Sequence, residues 1–306
     1  MPEKKNEVSL LIPTLNAGKL WIEVLESISN QNYPIGRKIV VDSGSNDDTV
    51  KLAIEHRFEV IKITKEEFNH GTTRQLLADR TESDICVFLT QDAILSTENS
   101  LRRLVEAFDD LDVALAYGRQ IPHDNAKPLE VHARLFNYPE GSIVRSFQDK
   151  DRLGFKVFFC SNSFAAYRRI VLKNIGGFPS ESIMGEDALV AAKMLIAGYK
   201  IAYVADAKVK HSHNYSFKEE FKRYFDTRVF HEQNQWLIDQ YGKPTGEGLK
   251  YVKSVMKFMA INSPISMIST INLILAKWLG YSLGNFYRNM PVTLLKSLSM
   301  HKSYWR

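Results

Sequence analysis

Residues 8–49 run VSLLIPTLNAGKLWIEVLESISNQNYPIGRKIVVDSGSNDDT. Two short apolar segments, Val8–Ile12 ahead of Pro13 and Lys38–Val41 ahead of Asp42, are too brief for helices and read as buried strands. Between them Leu20, Trp21, Val24, Leu25 and Ile28 recur at spacings of three and four, which puts one apolar stripe on a helix from about Lys19 to Gln31. The alternation continues outward. Asp47 or Asp48 is placed to cap a helix from Thr49, followed by a strand at Glu59–Ile63, a helix near Thr72–Arg80 and a strand at Ile85–Leu89. Strand and helix units on short connections predict a doubly wound α/β domain, its sheet mostly parallel with helices on both faces. Ligands of such sheets lie beyond the carboxyl ends of the strands, where this sequence has Thr14-Leu15-Asn16, Asp42-Ser43-Gly44-Ser45 and Thr90-Gln91-Asp92. Asp, Ser and Asn also make caps and turns, but three such clusters at three strand ends point chemistry at one edge.

With 306 residues, 44% apolar and 25% charged, the chain has ample material for a core, which excludes a disordered chain, a fibre or a small disulfide scaffold. Cys86 and Cys160 are embedded in apolar sequence and read as buried free thiols of a reducing, cytoplasmic compartment. The opening MPEKKNEVSLLIPT passes from charge straight into the first strand and holds no secretion signal. The net charge of +5 is unevenly placed. Residues 243–306 hold nine Lys or Arg against Glu247 alone, so the first 242 residues are slightly acidic and offer no chain-wide surface to nucleic acid.

From about residue 120 to 185, Pro122, Pro128, Pro139 and Gly141 interrupt the pattern while Phe and Tyr accumulate, as in a substrate-facing lobe. GEDALVAAKMLIAGYKIAYV then gives a helix closed by Gly198 and a strand at Lys200–Val204. No three-glycine dinucleotide loop and no Walker-type loop occurs, which argues against hydride transfer and P-loop chemistry. Asp42, at a strand end, suits a hydrogen bond from a base imide or a ribose hydroxyl. Asp92 suits magnesium or manganese together with phosphate oxygens, or else caps a helix at Ser96–Asp109. In VKHSHNYS a strand period of two puts His211 and His213 on one face, as a shared metal site or as an ordinary histidine pair. In Gly185-Glu186-Asp187 one carboxylate is placed to cap the following helix and the other to act as a general base. FNHGTTRQ sets His70, Gly71 and Arg74 at a helix start. There glycine permits close backbone approach, and helix N-terminal amides with an arginine suit phosphate, unless the segment is a plain loop.

The motifs LIPTLN, VVDSGSNDDT, FNHGTTRQ, FLTQDA, YGRQIP, GGFP, GEDALVAAKMLIAGY and VKHSHNYS lie in that order over residues 8–216. Together they resemble those of the inverting glycosyltransferases of family 2 and, within them, of bacterial rhamnosyltransferases of cell-envelope polysaccharide synthesis. The resemblance implies a GT-A domain in which Thr14, Asn16, Asp42, Ser45, His70, Gly71, Arg74 and Gln91 hold a nucleotide sugar and Asp92 with His211 and His213 binds Mn2+ or Mg2+. It makes Asp187 the catalytic base, with Glu186 and Asn162 toward the acceptor or behind the base. One position departs from the family pattern: Thr90 stands where the first acid of Asp-any-Asp is expected, which puts strict metal dependence in doubt. The implied donor is dTDP-rhamnose and the acceptor a hydroxyl of a glycan or lipid-linked sugar, transferred with inversion. The alternatives are a transferase for another UDP- or dTDP-linked sugar and a non-catalytic sugar-nucleotide-binding subunit, which Thr90 favours.

The chain so divides into a catalytic domain over 1–242, nucleotide-binding to about 120 and acceptor-binding from 121, and a basic helical extension over 243–306 hinged between Gly242 and Gly248. Phe258–Ala276 is uncharged yet interrupted by Asn262, Ser263, Pro264 and further polar residues, which disfavours a span. Ile261, Ile265, Ile268, Ile271, Leu275 and Trp278 form one face, flanked by lysines 250, 253, 257 and 277. Such a helix suits peripheral contact with the inner face of the cell membrane; the other reading is a helical hairpin packed on the domain or on a second copy in a homo-oligomer.

Overall fold

The computed structural model describes residues 6–243 and 246–305; the charged start 1–5, Pro244 and Thr245 of the expected hinge, and Arg306 lie outside the described residues. Nine strands form one sheet: β1 (Val8–Thr14), β2 (Arg37–Asp42), β3 (Glu59–Lys62), β4 (Ile85–Leu89), β5 (Ile94–Leu95), β6 (Val113–Ile121), β7 (Ile143–Arg145), β8 (Phe164–Arg168) and β9 (Lys200–Lys210). Their order is β3-β2-β1-β4-β8-β6-β9-β5, with β7 on β9. The alternating N-terminal part is parallel as its pattern predicts, β1 pairing with β2 and β4 and β2 with β3. Antiparallel β8 then separates β4 from β6, so the sheet as a whole is mixed. In the β1–β2 register Thr14 lies opposite Asp42, which sets two of the expected edge residues side by side.

Helices α1 (Leu20–Ser29), α2 (Thr49–Glu55), α3 (His70–Asp79) and α4 (Ser100–Glu106) connect the first strands, and α5 (Pro128–Asn137), α6 (Lys150–Leu153) and α7 (Arg169–Asn174) follow. The strand period of two splits β1: Leu10 and Ile12 pack under Trp21, Val24 and Leu25 of α1, while Leu11 joins the core beneath α3, α8 (Glu186–Ile196) and α9 (Phe217–Gln233). Both faces are thereby covered, and both cysteines are buried and free. The expected strand at Lys200–Val204 runs on to Lys210. Its register jumps between Gly118 and Arg119, so residues 205–207 bulge, and the small residues Ala205 and Ala207 with the lysines at 208 and 210 leave no apolar run to mark the continuation.

After α10 (Gln235–Tyr241) come α11 (Glu247–Asn262), α12 (Met267–Gly284) and α13 (Val292–Leu298). The long uncharged run breaks at Ser263–Ser266, and no helix among the described residues is long and apolar enough to cross a membrane. The extension packs on the domain. A Cβ on Gly280 would stand 2.1 Å from the Phe221 carbonyl oxygen, so α12 lies directly against α9, and Val255 and Met259 of α11 cover Leu129 of α5. Lys277, counted above among the flanking lysines, is buried: it pairs with Glu220 at 3.2 Å and lies over the rings of Tyr224 and Tyr251. The opposite face of the extension is bare, with Ile265 96% and Trp278 63% exposed and Ile261, Ile268, Ile271 and Leu275 open beside them.

Candidate active site

The first two strand-end loops are knit together by their own polar groups. Asp42, only 2% exposed, accepts four hydrogen bonds: Oδ1 from the amides of Gly44 (3.1 Å) and Ser45 (2.9 Å), and Oδ2 from Thr14 Oγ1 (3.0 Å) and Ser45 Oγ (2.5 Å). All the lone-pair positions of the carboxylate are then used. Asn16 takes a left-handed backbone, and its Oδ1 accepts from the Asn46 amide while its own amide donates to Ser45 Oγ. Gln91 grips Leu15 from the third strand end, accepting from its amide at 2.7 Å and donating to its carbonyl at 3.1 Å. Thr14, Asn16, Asp42, Ser45 and Gln91 thus form one rim.

Beside this rim Asp92, His211 and His213 converge, although Asp92 precedes β5 rather than capping a helix and the histidines lie just past the end of β9. His211 Nε2 is 3.4 Å from Asp92 Oδ1 and His213 Nε2 is 3.6 Å from Oδ2, and the three ligand atoms lie within 4.8 Å of one another. His211 Nδ1 meets Gln120 Oε1 at 3.0 Å, and Gln120 is oriented by donating Nε2 to Ser161 Oγ at 2.8 Å. With Nδ1 turned to Gln120, Nε2 is the ring nitrogen that faces the carboxylate. Burial, then the His211 charge, lowers the His213 imidazole to about 4, so it is neutral at physiological pH. Burial opposes ionisation of Asp92, yet the hydrogen bond and charge of His211, then His213, hold it well below the usual carboxylate range. A carboxylate and two imidazoles whose ligand atoms meet within 4.8 Å are a donor set suited to a divalent transition cation. The two histidines offer ligand atoms where Thr90 offers no carboxylate.

The acids Glu186 and Asp187 open α8 behind Gly185, which is left-handed at φ 70°. Glu186 Oε1 pairs with Arg74 Nη1 at 3.0 Å and accepts from Asn162 Nδ2 at 3.0 Å, both charged groups being buried. The Arg74 guanidinium, followed by the His70 imidazole, overrides burial and keeps Glu186 ionised. Asp187 accepts from the amides of Ala188 (2.8 Å) and Asn162 (3.2 Å). Burial first, and then the adjoining Glu186 charge, push its pKa up to about 7. Asn162 holds both acids and is itself fixed by Tyr167, whose hydroxyl donates to Asn162 Oδ1 at 2.6 Å.

Around His70 the partners differ from those expected. The first α3 amides already donate to Asn69 Oδ1, from Gly71 at 2.9 Å and Thr72 at 3.2 Å. Gly71 is needed because a Cβ there would meet the Pro179 carbonyl, and Arg74 serves Glu186. A cleft of about 750 Å³ joins Thr14, Gln91, Asp92, His211, His213, His70 and Arg74 to the chain's far end, Met300–Ser303. Neither this terminal segment nor Gln120 was assigned a role from sequence; Gln120 lay within the YGRQIP motif, whereas nothing local marks the segment.

Residues 9–176 match the family model described as Glycosyl transferase family 2. Over 301 residues the chain is 47% identical to the O-antigen chain rhamnosyltransferase RfbN of Salmonella typhimurium, covering 98% of this chain and 96% of that protein. The chain belongs to glycosyl transferase family 2. It is also 46% identical to the O-antigen chain rhamnosyltransferase WbaN of Salmonella anatum, over 97% of this chain and 95% of that protein. The mannosyltransferase PcManGT from Pyrobaculum calidifontis, solved with GDP-Man and Mn2+, superposes with a TM-score of 0.67 at 17% identity, over 94% of this chain and 89% of that one. That likeness is one of fold, the GT-A fold. The family match spans the nucleotide-side rim and Asn162 but ends before Glu186, Asp187 and both histidines; the two Salmonella relatives cover those positions.

In this family 2 glycosyltransferase, the hydrogen bond that His211 Nδ1 makes to Gln120 Oε1 turns Nε2 toward Asp92 and His213. Gln120→Leu is expected to weaken Mn2+ binding by about 10–100-fold in calorimetric titration without changing the circular dichroism spectrum. An unchanged affinity would show that His211 needs no orienting partner.

Proposed function

We propose that the chain is an inverting rhamnosyltransferase, moving L-rhamnose from dTDP-rhamnose onto a hydroxyl of a lipid-linked or oligosaccharide acceptor in bacterial surface polysaccharide assembly. Asp187 carries the reaction type: a partly buried carboxylate, tuned to about 7 and fixed by two amides, is matched to removing a proton at cellular pH. The identity to two O-antigen rhamnosyltransferases over nearly the whole chain supports the sugar.

The acceptor oxygen bonds to the anomeric carbon as the bond from that carbon to the diphosphate breaks. Its proton passes to Asp187, the nucleoside diphosphate leaves and the configuration inverts. Glu186, paired with Arg74, stays charged and keeps Asp187 basic. Asp42 acts through the loop it ties, which forms the side of the cleft where base and ribose would lie. Asp92, His211 and His213 would hold a divalent cation, which would supply positive charge at the departing diphosphate. Two imidazoles favour Mn2+ over Mg2+ in that place. The bare isoleucines and Trp278, with exposed Lys253 and Lys257 nearby, suit the cytoplasmic, anionic face of a membrane, where each basic residue adds on the order of 1 kcal/mol.

Three outcomes test these assignments. With Mn2+ and a panel of dTDP-, UDP- and GDP-sugars, nucleoside diphosphate release is expected from dTDP-rhamnose alone; release from a different donor instead overturns the sugar. The donor-saturated rate should climb with pH through about 7 and level off above it, because only ionised Asp187 accepts the proton, and Asp187→Asn should lower it about 100-fold or more. Since the carboxyl is raised from 3.8 in the unfolded chain, its ionisation costs stability progressively from about pH 4 to 7; the asparagine variant should melt no lower than the wild type at pH 8. Finally, Ile265→Asn with Ile268→Asn and Trp278→Ser should abolish co-sedimentation with vesicles containing phosphatidylglycerol while leaving turnover of a soluble acceptor intact. Unchanged sedimentation, or conversion of a dimer to a monomer, assigns that face to another partner.

A further inference from the structure

The segment after α13 crosses from the extension to the cleft and is tied down along its length. Asp226 of α9, wholly buried, accepts from the amides of Met300 at 2.8 Å and His301 at 3.3 Å. Lys222 donates to the Ser299 carbonyl at 3.4 Å, the His301 ring stands edge-on to His70 at 4.8 Å, and Trp305 is buried beside Tyr287. Met300, His301, Lys302 and Ser303 are thereby held as one wall of the cleft that also holds Asp92 and both histidines.

A diphosphate in that cleft needs cationic partners, and three basic side chains line it. Arg74 is committed to Glu186. Lys65 and Lys302 make no ion pair among the described residues, and the stem of Lys65 lies against Gly44 in the loop that Asp42 ties. Lys302 alone stands on the terminal segment. Its charge is felt by Lys222: burial first, and then Lys302 and Lys218, push the Lys222 ammonium down against the pull of Asp226. An anion beside Lys302 would relieve that repulsion.

We infer that Lys302 is a donor-binding residue that contacts the diphosphate of the nucleotide sugar, and that Asp226 positions it by anchoring Met300 and His301. The inference rests on the cleft being the donor site. A cation delivered from the last turn of the chain takes the place that Arg74 leaves when it pairs with Glu186, and it stabilises the leaving group as well as the bound donor.

The test is calorimetric binding of dTDP, UDP, GDP and thymidine in Mn2+ to the full chain and to its Lys302→Ala and Lys302→Arg forms. Lys302 is exposed, so both variants should melt with the wild type. Lys302→Ala is expected to weaken dTDP by about 10–100-fold, with thymidine unchanged and Lys302→Arg within about threefold of wild type. In turnover the donor KM should rise while the acceptor KM stays fixed. Equal dTDP affinity in the alanine form, or an equal loss for thymidine and dTDP, overturns the role. If the wild type prefers UDP or GDP, the dTDP-rhamnose assignment falls while Lys302 is judged on the preferred diphosphate. If no nucleoside diphosphate binds, both fall.

Discussion

The buried pair of Arg74 and Glu186 is the interaction on which the chemistry of this site depends. Removing two charges from water costs several kcal/mol per ion, and a single partner for each does not offset that. Here Glu186 Oε1 takes a second charge-assisted hydrogen bond from Asn162, which Tyr167 holds from behind. The pair fastens the start of α3 to the start of α8, elements more than 100 residues apart in sequence, and so fixes where Asp187 stands. It also fixes what Asp187 is. A charged Glu186 next to a carboxyl in a poorly hydrated place raises the affinity of that carboxyl for a proton, turning an ordinary aspartate into a base suited to neutral pH. The same pair withdraws Arg74 from phosphate binding, so under the proposed reaction the positive charge for the leaving group would come from elsewhere, from a cation at Asp92 and its histidines and from the terminal segment.

How far the sequence revealed this depended on whether a feature is local. The strand at Ile85–Leu89 and the apolar stripe of α1 stand where the pattern puts them, because burial on a sheet or along a helix leaves a period in the residues that make it. Asp92, His211 and His213 were legible as chemical types, and their meeting follows from sheet order, with β5 antiparallel to the end of β9. What the sequence did not carry was the partner of each polar group. Asp42 at a strand end looks free until the backbone of Gly44 and Ser45 turns back onto it, and Arg74 beside a helix start looks ready for phosphate until α8 packs against α3. The strand-like period through His211 and His213 illustrates the same limit, since β9 ends one residue earlier and the rings meet at Asp92 from a loop.

The basic C-terminus looked in sequence like a separable appendage, and its packing makes it part of the catalytic body. Helix α9 bears two of its attachments, beside that of α11 on α5. Gly280 lets α12 lie on the backbone of Phe221, and one turn further along the helix the carboxylate of Asp226 holds the amides of Met300 and His301. One rigid helix therefore sets the bare apolar face of α11 and α12, the terminal segment and the cleft in a fixed relation. Four basic residues of the extension show the division: Lys277 is neutralised against Glu220 inside the packing, Lys253 and Lys257 stay in solvent on α11 near the apolar face, and Lys302 lines the cleft. Under the proposed reading, a domain that settled on a membrane through that face would carry the cleft with it, because the extension that bears the face also supplies the segment Met300–Ser303 that lines the cleft.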